Sequence, residues 1–175
     1  VLKKKLIYVA PSPFPSTDAN AVHVFGQLVG ICNLHKKNCI EFVFVNKHKS
    51  AVVEQQIHAR FGGSLPNNIS HQHIAKNRLH LFVRLIFVFL FGKRSRYYFW
   101  SRCWYSSVIL GLLGYKGFME VHNPPLGFQN VSQFFLKRLI NIKFLFISGA
   151  LKNTCSFDVS PQRQFVFHDA AMLTG

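Results

Sequence analysis

The sequence predicts an α/β fold: a single three-layer α/β/α, Rossmann-like domain around a mainly parallel sheet of about six strands. Three observations carry this. Short β-branched and aromatic runs alternate with longer apolar-periodic stretches, which is the rhythm of βαβ units. The chain has 175 residues, 49% of them hydrophobic and 19 of them phenylalanine, enough for one domain with a real core and too apolar for disorder. Glycine and proline clusters fall mostly between the runs rather than inside them.

The first strand, Leu6–Ala10, empties into the proline-rich loop PSPFPSTDAN, where Asp18 or Asn20 can cap the next helix. That helix spans about Ala21–Leu34, with Val22, Phe25, Val29 and Cys32 on one face and Val24, Leu28 and Ile31 beside them, the wide stripe of a helix lying on a sheet. Ile40–Val45 reads as the second strand, and Ala51–Phe61 as a helix stopped by Gly62-Gly63. Ile69–Ala75 is a short strand diluted by His71, Gln72 and His73.

Arg78–Phe91 is the most hydrophobic stretch. It falls short of the ~18–20 residues that span a bilayer and carries His80 and Arg84 on one helical edge. The reading places it as a helix buried between the sheet and its neighbours. The rival is a membrane-surface helix, supported by Lys93, Arg94 and Arg96 just after it. Tyr97–Ser101 is an aromatic strand and Cys103–Leu113 a helix closed by Gly114. Val131–Ile140 reads as a helix burying Phe134, Phe135 and Leu139 with Lys137 and Arg138 outward. Phe144–Ile147 is the last clear strand, and 165–169 is a strand-like tail.

The segment Lys116–Leu126, KGFMEVHNPPL, holds the most chemistry. Its strand ends in Glu120 and His122, two apart and so on one face. Glu120 is one of six acids in the chain, and an acid in an apolar strand is costly unless paired. A strand end that simply meets solvent is the bland alternative. The net charge of +15, from 21 Lys and Arg against 6 Asp and Glu, implies an anionic partner. Cys32, Cys39, Cys103 and Cys155 lack metal or disulfide spacing, which suggests a reducing compartment. Leu6–Ala10 is too short for a signal-peptide core, and the opening on Val1 leads us to expect a longer native amino terminus.

Five segments in order resemble the amino-terminal domain of a family 4 glycosyltransferase of the GT-B type: YVAPSPFPSTDANAVHVFGQL, YYFWSR, GYKGFMEVHNPP, FLFISGALK and FVFHDA. The resemblance covers nearly the whole chain, residues 1–175 being then one acceptor-side domain. It implies transfer of a sugar from a nucleotide-sugar donor to a glycan or lipid-linked acceptor, as in cell-surface polysaccharide synthesis. It further implies a carboxy-terminal donor-binding domain, absent here, without which this chain would be inactive.

Many members carry a Gly-Gly pair in the first loop. Here Ser16–Asn20 stands instead, a departure that weighs against close backbone approach to donor phosphates.

By resemblance His122 lies near the transferred sugar, although a strand-end histidine bonded to backbone would look the same in sequence. Glu120 orients His122 or pairs with Arg102; a purely structural ion pair is the alternative. Asn20 and His23 lie at a helix amino terminus that favours anions, where Asn20 is equally an ordinary cap. Asn123 follows the histidine. Ser148 reaches the same crevice or merely caps SGALK.

No cofactor beyond the nucleotide-sugar co-substrate is implied, and no metal. The resemblance and the charge together imply a cytoplasmic enzyme peripheral to the inner face of a membrane. Two rivals stand beside this reading. One is a basic nucleic-acid-binding module using KRSRYYFWSR, for which no recognised RNA-binding signature is present. The other is another nucleotide-binding doubly wound α/β domain, which would need the GxGxxG that the first loop lacks.

Overall fold

The computed structural model describes residues 5–34, 40–48, 50–67, 69–91, 96–155 and 158–167. The strands are β1 (Lys5–Pro13), β2 (Ile40–Val45), β3 (Ile69–Ala75), β4 (Tyr97–Ser101), β5 (Lys116–Val121), β6 (Ile142–Phe146) and β7 (Gln164–Val166). The helices are α1 (Ala19–Leu34), α2 (Ser50–Phe61), α3 (Arg78–Phe91), α4 (Trp104–Leu112), α5 (Phe128–Arg138) and α6 (Gly149–Cys155). All seven strands form one sheet in the order β3-β2-β1-β4-β5-β6-β7, and every pairing is parallel. The α/β architecture expected from the sequence is therefore present, with seven strands rather than about six.

The strand order reverses at β1. The chain first builds outward through β2 and β3, then returns to lay β4 on β1's other side. Because such crossovers are right-handed, the reversal sends the helices to opposite faces. Helices α1 and α2 cover one face, packing Val24, Leu28, Val53 and Ile57 on Tyr8, Phe42 and Phe44. On the other face Leu81, Leu110, Leu136 and Cys155, from α3 to α6, pack on Val9, Phe99, Met119 and Phe144. Gly117 permits the tight β4–β5 contact, since a Cβ there would lie 2.3 Å from the Phe99 carbonyl oxygen.

Two burial expectations are corrected. α3 is not enclosed between sheet and neighbours: Leu81 and Leu85, four apart, face the core, while Leu79, Phe87 and Leu90 are exposed. An all-apolar helix presents a surplus of apolar surface, and the sheet takes only one stripe of it.

α5 starts at Phe128, directly after Gly127 at φ +55, three residues earlier than the sequence reading placed it. Its inward residues are Ser132 and Leu136, so Phe134 and Phe135 point outward, and only Leu139 of the three expected residues packs against the core. The carboxyl end of α5 is held by Arg163, which donates to the carbonyls of Leu136, Lys137, Leu139 and Ile142 at 2.8–2.9 Å. Lys93, Arg94, Cys39, His168 and Asp169 lie outside the described residues.

Candidate functional site

In doubly wound sheets, ligands bind beyond the carboxyl ends of the strands where their order reverses. Here that point lies between β1 and β4. It opens into a crevice of about 470 Å³ lined by Pro11 and Ser12 after β1, Asn20 and His23 of α1, and Arg102 after β4. His122 and Asn123 after β5, and Ile147 after β6, complete it. Parallel register explains the convergence. Ser101 pairs with Met119, so β4 ends first, and Arg102 turns beside Glu120 in the next strand.

Glu120 is the anchor. Its side chain is 3% exposed. One carboxylate oxygen accepts from Gln27 Nε2 at 2.7 Å and lies 2.5 Å from His122 Nε2. The other accepts from Trp100 Nε1 at 2.7 Å. Arg102 Nε stands 3.8 Å away. Burial by itself pushes this carboxyl's pKa up, but His122, Arg102 and Gln27 outweigh it and hold the pKa below the ordinary value. Gln27 is in turn fixed by α1's position over β1, where its side-chain carbonyl accepts from the Tyr8 hydroxyl.

His122 is held from both sides. With Nε2 donating to Glu120, Nδ1 is left to accept from Arg102 Nη2 at 3.1 Å. Nε2 thus faces an acceptor and Nδ1 faces an N–H donor, so both ring nitrogens are engaged inside the site. Its side chain remains 21% exposed and forms part of the crevice wall. A hydrogen bond from this ring to a ligand therefore requires exchange of one internal bond. Arg102 also donates to the Asn20 carbonyl at 3.4 Å, joining the turn after β4 to the start of α1.

Six of the seven sequence-chosen residues are thus brought together: Glu120, His122, Arg102, Asn20, His23 and Asn123. Ser148 is not among the crevice-lining residues; its Oγ accepts from the Leu151 N–H at 3.1 Å, the capping alternative. Sequence reasoning missed Gln27 and Trp100. Gln27 did leave a signal, as a polar residue one turn beyond His23 in an otherwise apolar helix. It also missed a smaller cleft of about 230 Å³ on the other side of the β1 loop, bordered by Asn46, Lys47, His48 and Lys76.

Tyr97–Ser101 forms a central strand in which Phe99 is fully buried and Tyr97, Tyr98 and Trp100 are half-buried. Among the described residues no group of three His, Cys, Asp or Glu could hold a metal ion. No helix among them is long and apolar enough to cross a membrane. No family model matches the chain, and no curated protein matches it.

Proposed function

We propose that this chain is the acceptor-side domain of a GT-B-type glycosyltransferase that moves a sugar from a nucleotide-sugar donor to a glycan or lipid-linked acceptor. The observation that carries the reading is the switch-point crevice, with Arg102 and His122 locked around buried Glu120. Sugar transfer needs an acceptor hydroxyl held in line and a departing phosphate met by positive charge. Asn20, His23 and Asn123 offer hydrogen-bonding groups for hydroxyls. Arg102 and the amino-terminal end of α1 favour an anion.

Glu120 acts as a positioning residue. It sets the plane of His122 and keeps the Arg102 charge at the crevice wall instead of in bulk water. Donor binding is assigned to a further domain by the resemblance, and a lipid-linked acceptor accords with a cytoplasmic protein at the inner face of an anionic membrane.

The test is a titration of isotopically labelled chain, followed by NMR, with short glycans, a polyprenyl-phosphate sugar and a dinucleotide. The expected result is shifts at Asn20, His23 and Asn123 with a sugar-bearing ligand. Shifts confined to the dinucleotide would replace this reading by that of a nucleotide-binding oxidoreductase-like domain.

A further inference from the structure

The two helix layers differ in what they show to solvent. On α2 the outward positions include Glu54, Gln55, His58 and Arg60, an ordinary solvated face. On α3 the outward positions are Leu79, Val83, Ile86, Phe87 and Leu90, spaced as one helical stripe. α5 repeats the pattern with Phe128, Val131, Phe134 and Phe135, and α4, between them, exposes Tyr105 and Leu112. Phe82 of α3 meets the Tyr105 ring edge-on at 6.3 Å, so the α3 and α4 stripes adjoin. Apolar stripes lying side by side with cations at their rim mark an interaction surface.

Charge says what covers it. Between Arg60 and Asp158, neither counted, the sequence contains a single carboxylate side chain, Glu120, and that one is buried. Every charged side chain on helices α3 to α6 is cationic: Arg78 and Arg84 on α3, Lys137 and Arg138 on α5, Lys152 on α6; the exposed acid Asp158 lies beyond the end of α6. Arg138 lies with its guanidinium 3.5 Å over the Phe134 ring, an apolar stem and ring with the charge at the rim. Apolar stripes rimmed by cations with no anion among them complement an apolar layer under anionic headgroups. A protein partner of mixed charge would leave that one-signed rim unmatched.

We infer that the outer face of α3, α4 and α5 docks on an anionic lipid bilayer, with Phe128, Phe134 and Phe135 entering the acyl boundary. This deepens the transferase reading by fixing where a lipid-linked acceptor would meet the chain. Asn123 lines the crevice, and Phe128 follows five residues later, so the two lie within about 18 Å. A sugar carried on a membrane lipid would reach the crevice from its rim. The inference extends the surface beyond α3, which alone carried the expectation from sequence, to α5 at the mouth of the site.

The experiment is co-sedimentation of the full 175-residue chain with phosphatidylcholine vesicles, with and without phosphatidylglycerol. Binding should require phosphatidylglycerol. The triple variant F128S/F134S/F135S should partition at least about tenfold more weakly, since each aromatic loses burial worth that much or more. F165S, on the opposite sheet face, should bind as the parent does. Binding that the triple variant retains in full, and that high salt abolishes, would reduce the interaction to nonspecific charge and overturn the proposal. So would a parent that ignores vesicles and instead self-associates through these residues.

If the triple variant fails to fold, Phe128→Trp with bromine-labelled lipid decides. Quenching beyond that of the parent, whose Trp100 and Trp104 also emit, supports insertion; quenching no greater than the parent's refutes it. Vesicle binding involves no sugar chemistry. Failure of glycans to reach the crevice would therefore remove the transferase reading while leaving this surface intact, and the converse holds.

Discussion

Replacing Glu120 by glutamine preserves shape and removes one charge, and should cost about 3–5 kcal/mol at neutral pH. The carboxylate accepts from three side chains and neutralises Arg102, whose own side chain is 6% exposed. An amide has one acceptor oxygen. Turned toward Gln27 and His122, it sets its NH2 against the Trp100 N–H; turned the other way, it opposes two donors. Arg102 is left as a buried, uncompensated cation, the situation in which breaking one partner of a pair costs that amount.

With a urea m-value of about 2–3 kcal/mol/M, the midpoint should fall by roughly 1–2.5 M. The pH dependence supplies a second check. The folded pKa of Glu120 is lowered from 4.5, so the unfolded chain takes up the proton more readily. The site's contribution is therefore complete above the unfolded value and is lost as pH drops through the folded one. The gap between wild type and Glu120→Gln should accordingly close in acid. A midpoint shift under about 0.3 M, or a gap indifferent to pH, would refute the account of Glu120 as an ionised anchor.

Gly117→Ala should destabilise by at least about 3 kcal/mol, because its Cβ meets the Phe99 carbonyl at 2.3 Å in the middle of the sheet; urea unfolding reads this directly. Arg163→Met removes donors to four carbonyls and should cost about 2–4 kcal/mol, with faster amide exchange over the last turn of α5. An effect spread evenly over the whole domain would argue against a local clamp. In a complete, active transferase, His122→Ala should lower kcat by ~10²–10³ while KM changes little. A normal kcat would exclude His122 from the reaction.

The sheet was legible because each strand announces itself locally: IEFVFV or KFLF is too short for a helix and too apolar for a loop. The site was half legible. Glu120 and His122 declare themselves by standing two apart at a strand's end, and Arg102 by closing the strand beside it. Gln27 meets Glu120 across 93 positions of sequence, and no local pattern encodes that meeting. What failed was burial on α3 and α5. Hydropathy identifies residues that prefer to leave water but not whether the fold has a surface ready for them. On α5 the phase is set by Leu136 and small Ser132 facing the core, and the bulkier Phe134 and Phe135 fall outside.

The reversal of strand order at β1 also constrains how the chain can assemble in time. β1 finds β2 after a short excursion, and most of the α1–α2 core can form from residues 6–69 alone. Its other edge waits for β4, where residue 5 meets residue 97, so this seam closes across the longest loop between paired strands. Closing such loops is slow, and until it happens one flank of β1 is an open edge. Pulse-labelled hydrogen exchange during refolding should find amides of β2 and β3 protected before those of β4 and β5. Simultaneous protection across the seam would mean that the two halves condense together. On a ribosome, the same geometry keeps the crevice from existing until β5 has emerged, since Arg102 and His122 have nothing to lock onto before Glu120 is in place.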